Sequence, residues 1–220
     1  MIEDRCSFFG LRLEHVRPRK ESSEWVPGPH RVPRVIPLLS MRNIFLVGFM
    51  GAGKSSVGAA LAARFGYRFI DLDERLCERF EASILEVFSV HGEGAFRVAE
   101  TDELAHCADG QGVVVATGGG TFCIGANRKI ISGSKSVSVY LDLPWEELNR
   151  RLAVDNSGRP KYDDAEQARS LFEERQPDYR HADVVIALAG SESPDEIADK
   201  VLEAIQARSS HRFRSEGGEG

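Results

Sequence analysis

No apolar stretch in this 220-residue sequence approaches the roughly 20 residues that a membrane-spanning helix requires. Cysteine is scarce, and Cys6, Cys77, Cys107 and Cys123 form neither a Cys-x-x-Cys pair nor a metal-type cluster. They are therefore predicted to be free thiols in a reducing compartment, the cytoplasm. Basic residues are fewer than acidic ones, which gives a net charge of −6. This deficit argues against a nucleic-acid partner. The sequence therefore predicts a protein that binds neither nucleic acid nor a membrane. The protein is expected to be a monomer.

The phrase at residues 48–55, GFMGAGKS, matches the phosphate-binding P-loop pattern G-x-x-x-x-G-K-S. The apolar run at residues 44–47 before it is typical of a buried parallel strand. After it, Val57 and Leu61 fall on one face of a predicted helix, and Gly66 stands where that helix would end. A strand before the pattern and a helix after it favour a true phosphate-binding loop over a chance glycine-rich turn.

The loop has the residue types that a triphosphate requires. Glycines let the backbone turn tightly, so successive N–H groups can point at phosphate oxygens, and the helix start adds its positive end. Lys54 would reach the β- and γ-phosphates, and the Ser55 hydroxyl would coordinate Mg²⁺. The sequence therefore predicts a nucleoside triphosphate site, with ATP as the nucleotide, formed by Gly48, Gly51, Ala52, Gly53, Lys54, Ser55 and Ser56.

Two carboxylates stand at the end of a second predicted strand, which covers residues 67–71. Ligands bind at the carboxyl ends of parallel strands, so Asp71 and Asp73 are candidates for a Mg²⁺ shell and for contact with a substrate hydroxyl. The alternative for Asp73 is helix capping, since a helical pattern follows it and aspartate is a favourable N-cap. Both interpretations of Asp73 are open at this point.

An arginine–glutamate pair and a glycine triplet are the other candidate features. Arg97 and Glu100 lie three residues apart in a helical pattern that extends from residue 73 to about residue 106, so they can pair on one helix face. By itself this spacing also fits a surface salt bridge. A β-branched strand at residues 113–116 ends at Gly118, Gly119 and Gly120, and this triplet indicates that another group approaches the backbone closely.

Strands and helices alternate through the rest of the sequence. The alternation predicts an α/β fold in which a five-stranded parallel sheet carries helices on both faces. A polar segment at residues 154–164 is interpreted as mobile, and the tail at residues 209–220 as disordered. The remaining predicted strands lie at residues 137–141 and 184–188. The remaining predicted helices are residues 144–153, a helix that carries Ala168, Leu171 and Phe172 toward Arg175, and residues 194–207.

Residues 1–40 do not have the pattern of a packed domain. Five prolines interrupt them, and they lack the apolar core of a secretory signal, while several acidic residues weaken a transit-peptide interpretation. Met41 stands just before the first strand, where the domain would naturally begin. The hypothesis is that residues 1–40 are a disordered extension or an upstream start assigned in error, and that residues 41–208 form the domain.

Taken together, residues 41–207 resemble shikimate kinase, a small P-loop kinase of the aromatic amino-acid pathway. The resemblance rests on six phrases in the order of that family: MRNIFLVGFMGAGKSS, FIDLDERL, ILEVFSVHGEGAFRVAE, VVVATGGGTF, GRP and ERQPDYRHADVVI. A P-loop alone occurs in many proteins, whereas these phrases in sequence fit few. The resemblance implies the P-loop kinase fold with a mobile lid, and transfer of the γ-phosphate of ATP to the 3-hydroxyl of shikimate.

The resemblance also implies roles for individual residues. Asp73 would bind the ring hydroxyls and help to deprotonate the accepting one, while Asp71 would join Ser55 in the Mg²⁺ shell. The shikimate carboxylate would be bound by Arg97, held by Glu100, and by Arg175. The lid would carry the arginine that reaches the transferring phosphates. The catalytic set is thus Lys54, Asp73 and Arg159, and the acceptor-binding set is Asp73, Arg97, Gly118, Gly119, Gly120 and Arg175.

The lid phrase departs from the family, in which the arginine–proline pair is commonly followed by two aliphatic residues. Here Lys161 and Tyr162 follow Pro160. Two alternatives are therefore kept beside shikimate phosphorylation. One is a kinase of the same build that acts on another small polyol acid such as gluconate. The other is a nucleotide- or shikimate-binding protein without catalysis.

Overall fold

The computed structural model describes residues 42–154 and 165–216. The predictions for residues 1–40, for Cys6 and for the lid phrase with Arg159 and Lys161 lie outside the described residues. Among the described helices, none is both long and apolar enough to cross a bilayer.

Five parallel strands form one sheet in the order β2-β3-β1-β4-β5. The prediction of a five-stranded parallel α/β sheet is therefore confirmed. β1 pairs with β3 on one side and β4 on the other, so the strand before the P-loop lies at the centre of the sheet. The strands are β1 Asn43–Val47, β2 Arg68–Asp71, β3 Val113–Ala116, β4 Ser136–Asp142 and β5 Val184–Ala187.

The strands alternate with helices that pack against the sheet and against one another. α1 contacts β3 and α7, and α4 contacts β4 and α3. A short 3₁₀ turn, Thr121–Cys123, lies between β3 and α4. The helices are α1 Lys54–Phe65, α2 Leu72–Phe80, α3 Ile84–Asp109, α4 Gly125–Gly133, α5 Trp145–Val154, α6 Ala165–Tyr179 and α7 Pro194–Glu216.

The long helical pattern after β2 is two helices rather than one. Glu81 adopts a left-handed conformation, φ 51°, which ends α2. Ser83 and Glu86 form a reciprocal capping box that starts α3, and Gly92, φ 79°, kinks α3. Such local features do not interrupt the periodicity of apolar residues, so the sequence pattern indicated one continuous helical stretch.

Two other boundaries differ from the sequence patterns. α4 and the 3₁₀ turn before it were not predicted, because the stretch between β3 and β4 is rich in glycine and polar residues and has little apolar periodicity. The last helix ends at Glu216, beyond the predicted end at residue 207 and within the segment expected to be disordered.

The core explains where the functional groups are placed. Every residue of β1 and β3 is buried, as expected for central strands covered on both faces. A separate apolar cluster of Leu76, Val87, Phe96 and Ala99 joins α2 to α3. This second cluster packs α2 and α3 against each other, whereas Leu72 of α2 and Leu104 of α3 belong to the main core. The pair follows β2, and ligands bind at the carboxyl ends of strands in parallel sheets.

Candidate active site

The P-loop connects β1 to α1 through three glycines with positive φ: Gly48 at 139°, Gly51 at 77° and Gly53 at 88°. Side chains rarely adopt these conformations, so the positions require glycine. Lys54 begins α1, and its Nζ donates to the carbonyl oxygens of Gly48 and Phe49 at 2.8 Å each. The loop therefore curls around the ammonium group at the positive end of α1, the arrangement of an anion site.

Asp71 joins the P-loop helix to α2. Its Oδ2 accepts a hydrogen bond from Ser55 Oγ at 2.5 Å, and its Oδ1 accepts from the backbone N–H groups of Asp73 and Glu74. The N-cap of α2 is therefore Asp71, and the alternative that Asp73 serves as the cap is wrong. Asp73 lies one residue inside the helix and lines the cleft above the sheet.

The Arg97–Glu100 pair is not a surface salt bridge, because Glu100 is completely buried. Arg97 Nη1 donates to Glu100 Oε2 at 2.8 Å, and Nη2 donates to Glu93 Oε1 at 3.0 Å. Burial works against the charge on Arg97, but Glu100 and Glu93 outweigh it and raise the pKa of the guanidinium. Arg97 is therefore held as a cation at a defined position on α3.

A buried polar network holds Glu100 in turn. Thr121 Oγ1 donates to Glu100 Oε1 at 2.5 Å, and Asn127 Nδ2 donates to the carbonyl of Thr121 at 2.9 Å. Thr101 Oγ1 donates to Asn127 Oδ1, which links the network back to α3. Sequence reasoning missed Thr121 and Asn127; the position of Thr121 directly after the glycine triplet was the available signal.

The glycine triplet is where the distant parts of the site meet. A Cβ on Gly118 would lie 2.6 Å from Glu100 Oε1 and 3.0 Å from Asp73 Oδ1. A Cβ on Gly120 would lie 2.9 Å from Arg97 Nη2, and one on Gly119 would lie 3.6 Å from Arg175 Nη1. Asp73, Arg97 and Arg175 therefore surround one short loop. The close approach predicted from the three glycines is present at Gly118 and Gly120, whereas a Cβ on Gly119 would make ordinary van der Waals contacts.

One cleft of about 1030 Å³ contains both halves of the predicted site. Gly48 and Ala52 are not among its lining residues: Gly48 faces Leu141 and Tyr140, and Ala52 is buried. Cys77, Ser83, Ile84 and Phe88 also line the cleft and were not assigned to it from the sequence. The predicted site residues on its wall are Gly51, Gly53, Lys54, Ser55, Ser56, Asp71, Asp73, Arg97, Gly118, Gly119, Gly120 and Arg175.

The oxygen pair of Ser55 and Asp71 is the place in the cleft that suits a hard divalent cation. A hydroxyl and a carboxylate 2.5 Å apart face the P-loop, and Mg²⁺ is commonly held by few protein oxygens together with phosphates and water. Within the described residues, no three side chains of histidine, cysteine, aspartate or glutamate form a group that could hold a metal by themselves. The hydroxyl and carboxylate of Ser55 and Asp71 fit a Mg²⁺ whose other ligands are phosphate and water oxygens.

Comparison with known proteins agrees with this geometry. The model of the shikimate kinase family matches residues 50–206. Shikimate kinase from Nostoc sp. is 39% identical over 171 residues, covering 76% of this chain and 93% of the relative. The enzyme from Halorhodospira halophila is 41% identical over 171 residues, covering 76% and 96%.

Solved structures extend the comparison. The structure of shikimate kinase from Acinetobacter baumannii in complex with shikimate has a TM-score of 0.72 and 32% identity, and covers 76% of this chain and 94% of that one. A gluconokinase from Sinorhizobium meliloti has a TM-score of 0.57 at 19% identity over 79% of this chain and 97% of that one, which shows a shared fold alone.

Proposed function

Because the chain belongs to the shikimate kinase family, we propose that it transfers the γ-phosphate of ATP to the 3-hydroxyl of shikimate, giving shikimate 3-phosphate and ADP. The observation that carries this choice of acceptor is the convergence of Asp73, Arg97 and Arg175 on the glycine triplet. Two guanidinium groups and one carboxylate suit a small acid that also bears hydroxyls.

The acceptor half of the cleft is formed by Asp73, Arg97, Arg175 and residues 118–120. It would bind the carboxylate end and the hydroxyl end of such a molecule with different groups. Arg97 and Arg175 offer planar, paired N–H donors, which match the oxygens of a carboxylate. Asp73 is an acceptor for ring hydroxyls and, when ionised, can take the proton of the hydroxyl that is phosphorylated. The bare backbone of residues 118–120 lets the flat face of the ring lie against it. These are proposed roles for the residues on the wall of the cleft.

The nucleotide half positions the phosphates. Backbone N–H groups of the P-loop and the start of α1 would bind the phosphate oxygens, and Lys54 would move from the loop carbonyls to the β- and γ-phosphates. Ser55 and Asp71 would hold Mg²⁺, which when bound neutralises phosphate charge. The resemblance assigns Arg159, outside the described residues, to the transferring phosphates. Phosphoryl transfer of this kind depends on positioning and charge neutralisation.

The proposal includes the oligomeric state of the enzyme, its location and the limits of its kinase domain. We infer that the enzyme is a monomer without a membrane partner. An acidic chain argues against a nucleic-acid partner. The described cysteines Cys77, Cys107 and Cys123 are free thiols, which suits the cytoplasm. Residues 1–40 are proposed to lie outside the kinase domain. Light scattering of the purified protein, and assay of a chain that starts at Met41, test these two points.

A coupled assay with ATP and Mg²⁺ tests the proposed function, using shikimate and gluconate in parallel as acceptors. We expect rapid ADP formation with shikimate and only background with gluconate. Turnover of gluconate without turnover of shikimate would reject the choice of acceptor. Tight binding of ATP and shikimate by calorimetry, with no ADP formed, would instead support the alternative of a non-catalytic binding protein.

A further inference from the structure

Tyr179 contacts the glycine triplet but is not among the residues proposed to bind the acceptor. It ends α6, four residues after Arg175, so both side chains leave the same face of the helix. The side chain is completely buried. Its hydroxyl donates to the carbonyl oxygen of Gly119 at 2.5 Å, across 60 residues of sequence.

We propose that Tyr179 is a positioning residue that sets the Arg175 guanidinium against the glycine triplet. A phenol has one proton to donate and lone pairs that accept, so it can donate to the Gly119 carbonyl and accept from Arg175 at once. Arg175 Nη1 would lie 3.6 Å from a Cβ on Gly119, so the guanidinium is adjacent to the residue whose carbonyl Tyr179 binds. The inference rests on the proposed function, in which Arg175 binds the acceptor carboxylate.

The surroundings keep this hydroxyl in place and in its protonated form. The ring of Tyr179 packs on that of Tyr140, with centroids 5.2 Å apart and planes tilted by 32°. Burial, reinforced by Cys123, raises the pKa of Tyr179 well above its ordinary value. The hydroxyl therefore stays a donor over the working range of a kinase. Phenylalanine would keep the ring packing and leave the carbonyl of the half-buried Gly119 without this partner.

The test is Tyr179→Phe, with Tyr140→Phe as the matched control. Both variants remove one hydroxyl from the same buried ring pair, but the Tyr140 hydroxyl donates to Asp142 at 2.9 Å. For Tyr179→Phe we expect the KM for shikimate to rise about 10-fold, with the KM for ATP and kcat within about 2-fold of wild type. For Tyr140→Phe all three constants are expected to stay within about 2-fold.

A double variant separates positioning from general loosening of the fold. If Tyr179 acts largely through Arg175, adding Tyr179→Phe to Arg175→Ala should raise the KM for shikimate by less than about 3-fold further. Three outcomes would each overturn this inference and leave the proposed function standing. They are an unchanged KM for shikimate in Tyr179→Phe, equal losses in both tyrosine variants, and a full 10-fold rise of that KM when Tyr179→Phe is added to Arg175→Ala. Wild-type enzyme that does not phosphorylate shikimate would overturn the proposed function, and this inference with it.

Discussion

At the scale of single residues, the surroundings of Arg97 and Arg175 restrict both guanidinium groups. Arg97 lies between Glu93 and the buried Glu100, and Arg175 is itself buried beside Gly119. A guanidinium held in this way loses little side-chain freedom when a carboxylate binds. Restriction by neighbours, rather than charge alone, therefore makes these residues candidates for acceptor recognition.

Arg97→Ala is expected to raise the KM for shikimate about 100-fold, because a charge-assisted pair with the carboxylate is lost, while the KM for ATP changes less than about 3-fold. Steady-state kinetics with each substrate varied in turn measures the effect. Arg169→Ala is the control, since Arg169 pairs with Glu173 at the surface. Equal losses for ATP and shikimate would contradict the assignment of Arg97.

Asp73→Asn is expected to lower kcat by about 10²–10³-fold, because an amide cannot take the proton of the accepting hydroxyl. The substitution leaves the cap of α2 intact, since Asp71 is the residue that accepts from the first backbone N–H groups. ATP affinity, measured by calorimetry, should stay within about 3-fold of wild type. A fully active variant would remove Asp73 from the chemistry.

At the scale of elements, α1 must approach β2 closely to bring Ser55 to Asp71. A Cβ on Gly58 would lie 2.4 Å from Cε2 of Phe69, so the helix face toward β2 has no room for a side chain. The glycine in the middle of α1 is unfavourable for helix formation but permits this packing. Contact between α1 and β2 thus brings Ser55 of one element into hydrogen-bond distance of Asp71 of the other.

Gly58→Ala is expected to lower the free energy of unfolding by about 1–3 kcal/mol through overpacking against Phe69. Gly94→Ala in α3 is the matched control, since a Cβ there meets no atom within 4 Å. It should raise the free energy of unfolding by about 0.5–1 kcal/mol through helix propensity. Urea titration measures both, and a stabilised Gly58→Ala protein would contradict the packing argument.

At the scale of the whole molecule, the cleft is built from segments far apart in sequence. The P-loop follows β1, Asp73 follows β2, the glycine triplet follows β3, and Arg175 comes from α6. Parallel pairing of β1, β2 and β3 brings the first three to one edge of the sheet. A ligand bound in this cleft would contact several elements at once, so binding should stabilise the fold as a unit.

Saturating ligands are expected to raise the melting temperature. At a concentration about 100 times Kd, each of Mg²⁺–ATP and shikimate should add about 2.7 kcal/mol, or roughly 5–10 °C, in differential scanning fluorimetry. Arg97→Ala should lose the shift with shikimate and retain the shift with Mg²⁺–ATP. A shift with shikimate that survives in this variant would place its binding elsewhere.

Local sequence alone determined the parts of this protein that depend on short-range physics. The spacing of Gly48, Gly51, Gly53 and Lys54 specifies a phosphate-binding turn, and β-branched runs specify buried parallel strands, because backbone conformation and burial pattern are encoded by neighbouring residues. The family phrases carried the rest of the predicted cleft, and the described members Asp71, Asp73, Arg97 and Arg175 do line it.

Only the tertiary structure decided which carboxylate caps α2 and which groups hold the two arginines. Asp71 and Asp73 are equally good caps by composition, and their roles separate because α2 begins at Leu72, directly after the extended backbone of Asp71. Thr121 and Tyr179 contact the site through hydrogen bonds that span 21 and 60 residues. Such contacts depend on how distant elements pack, so no local pattern predicts them.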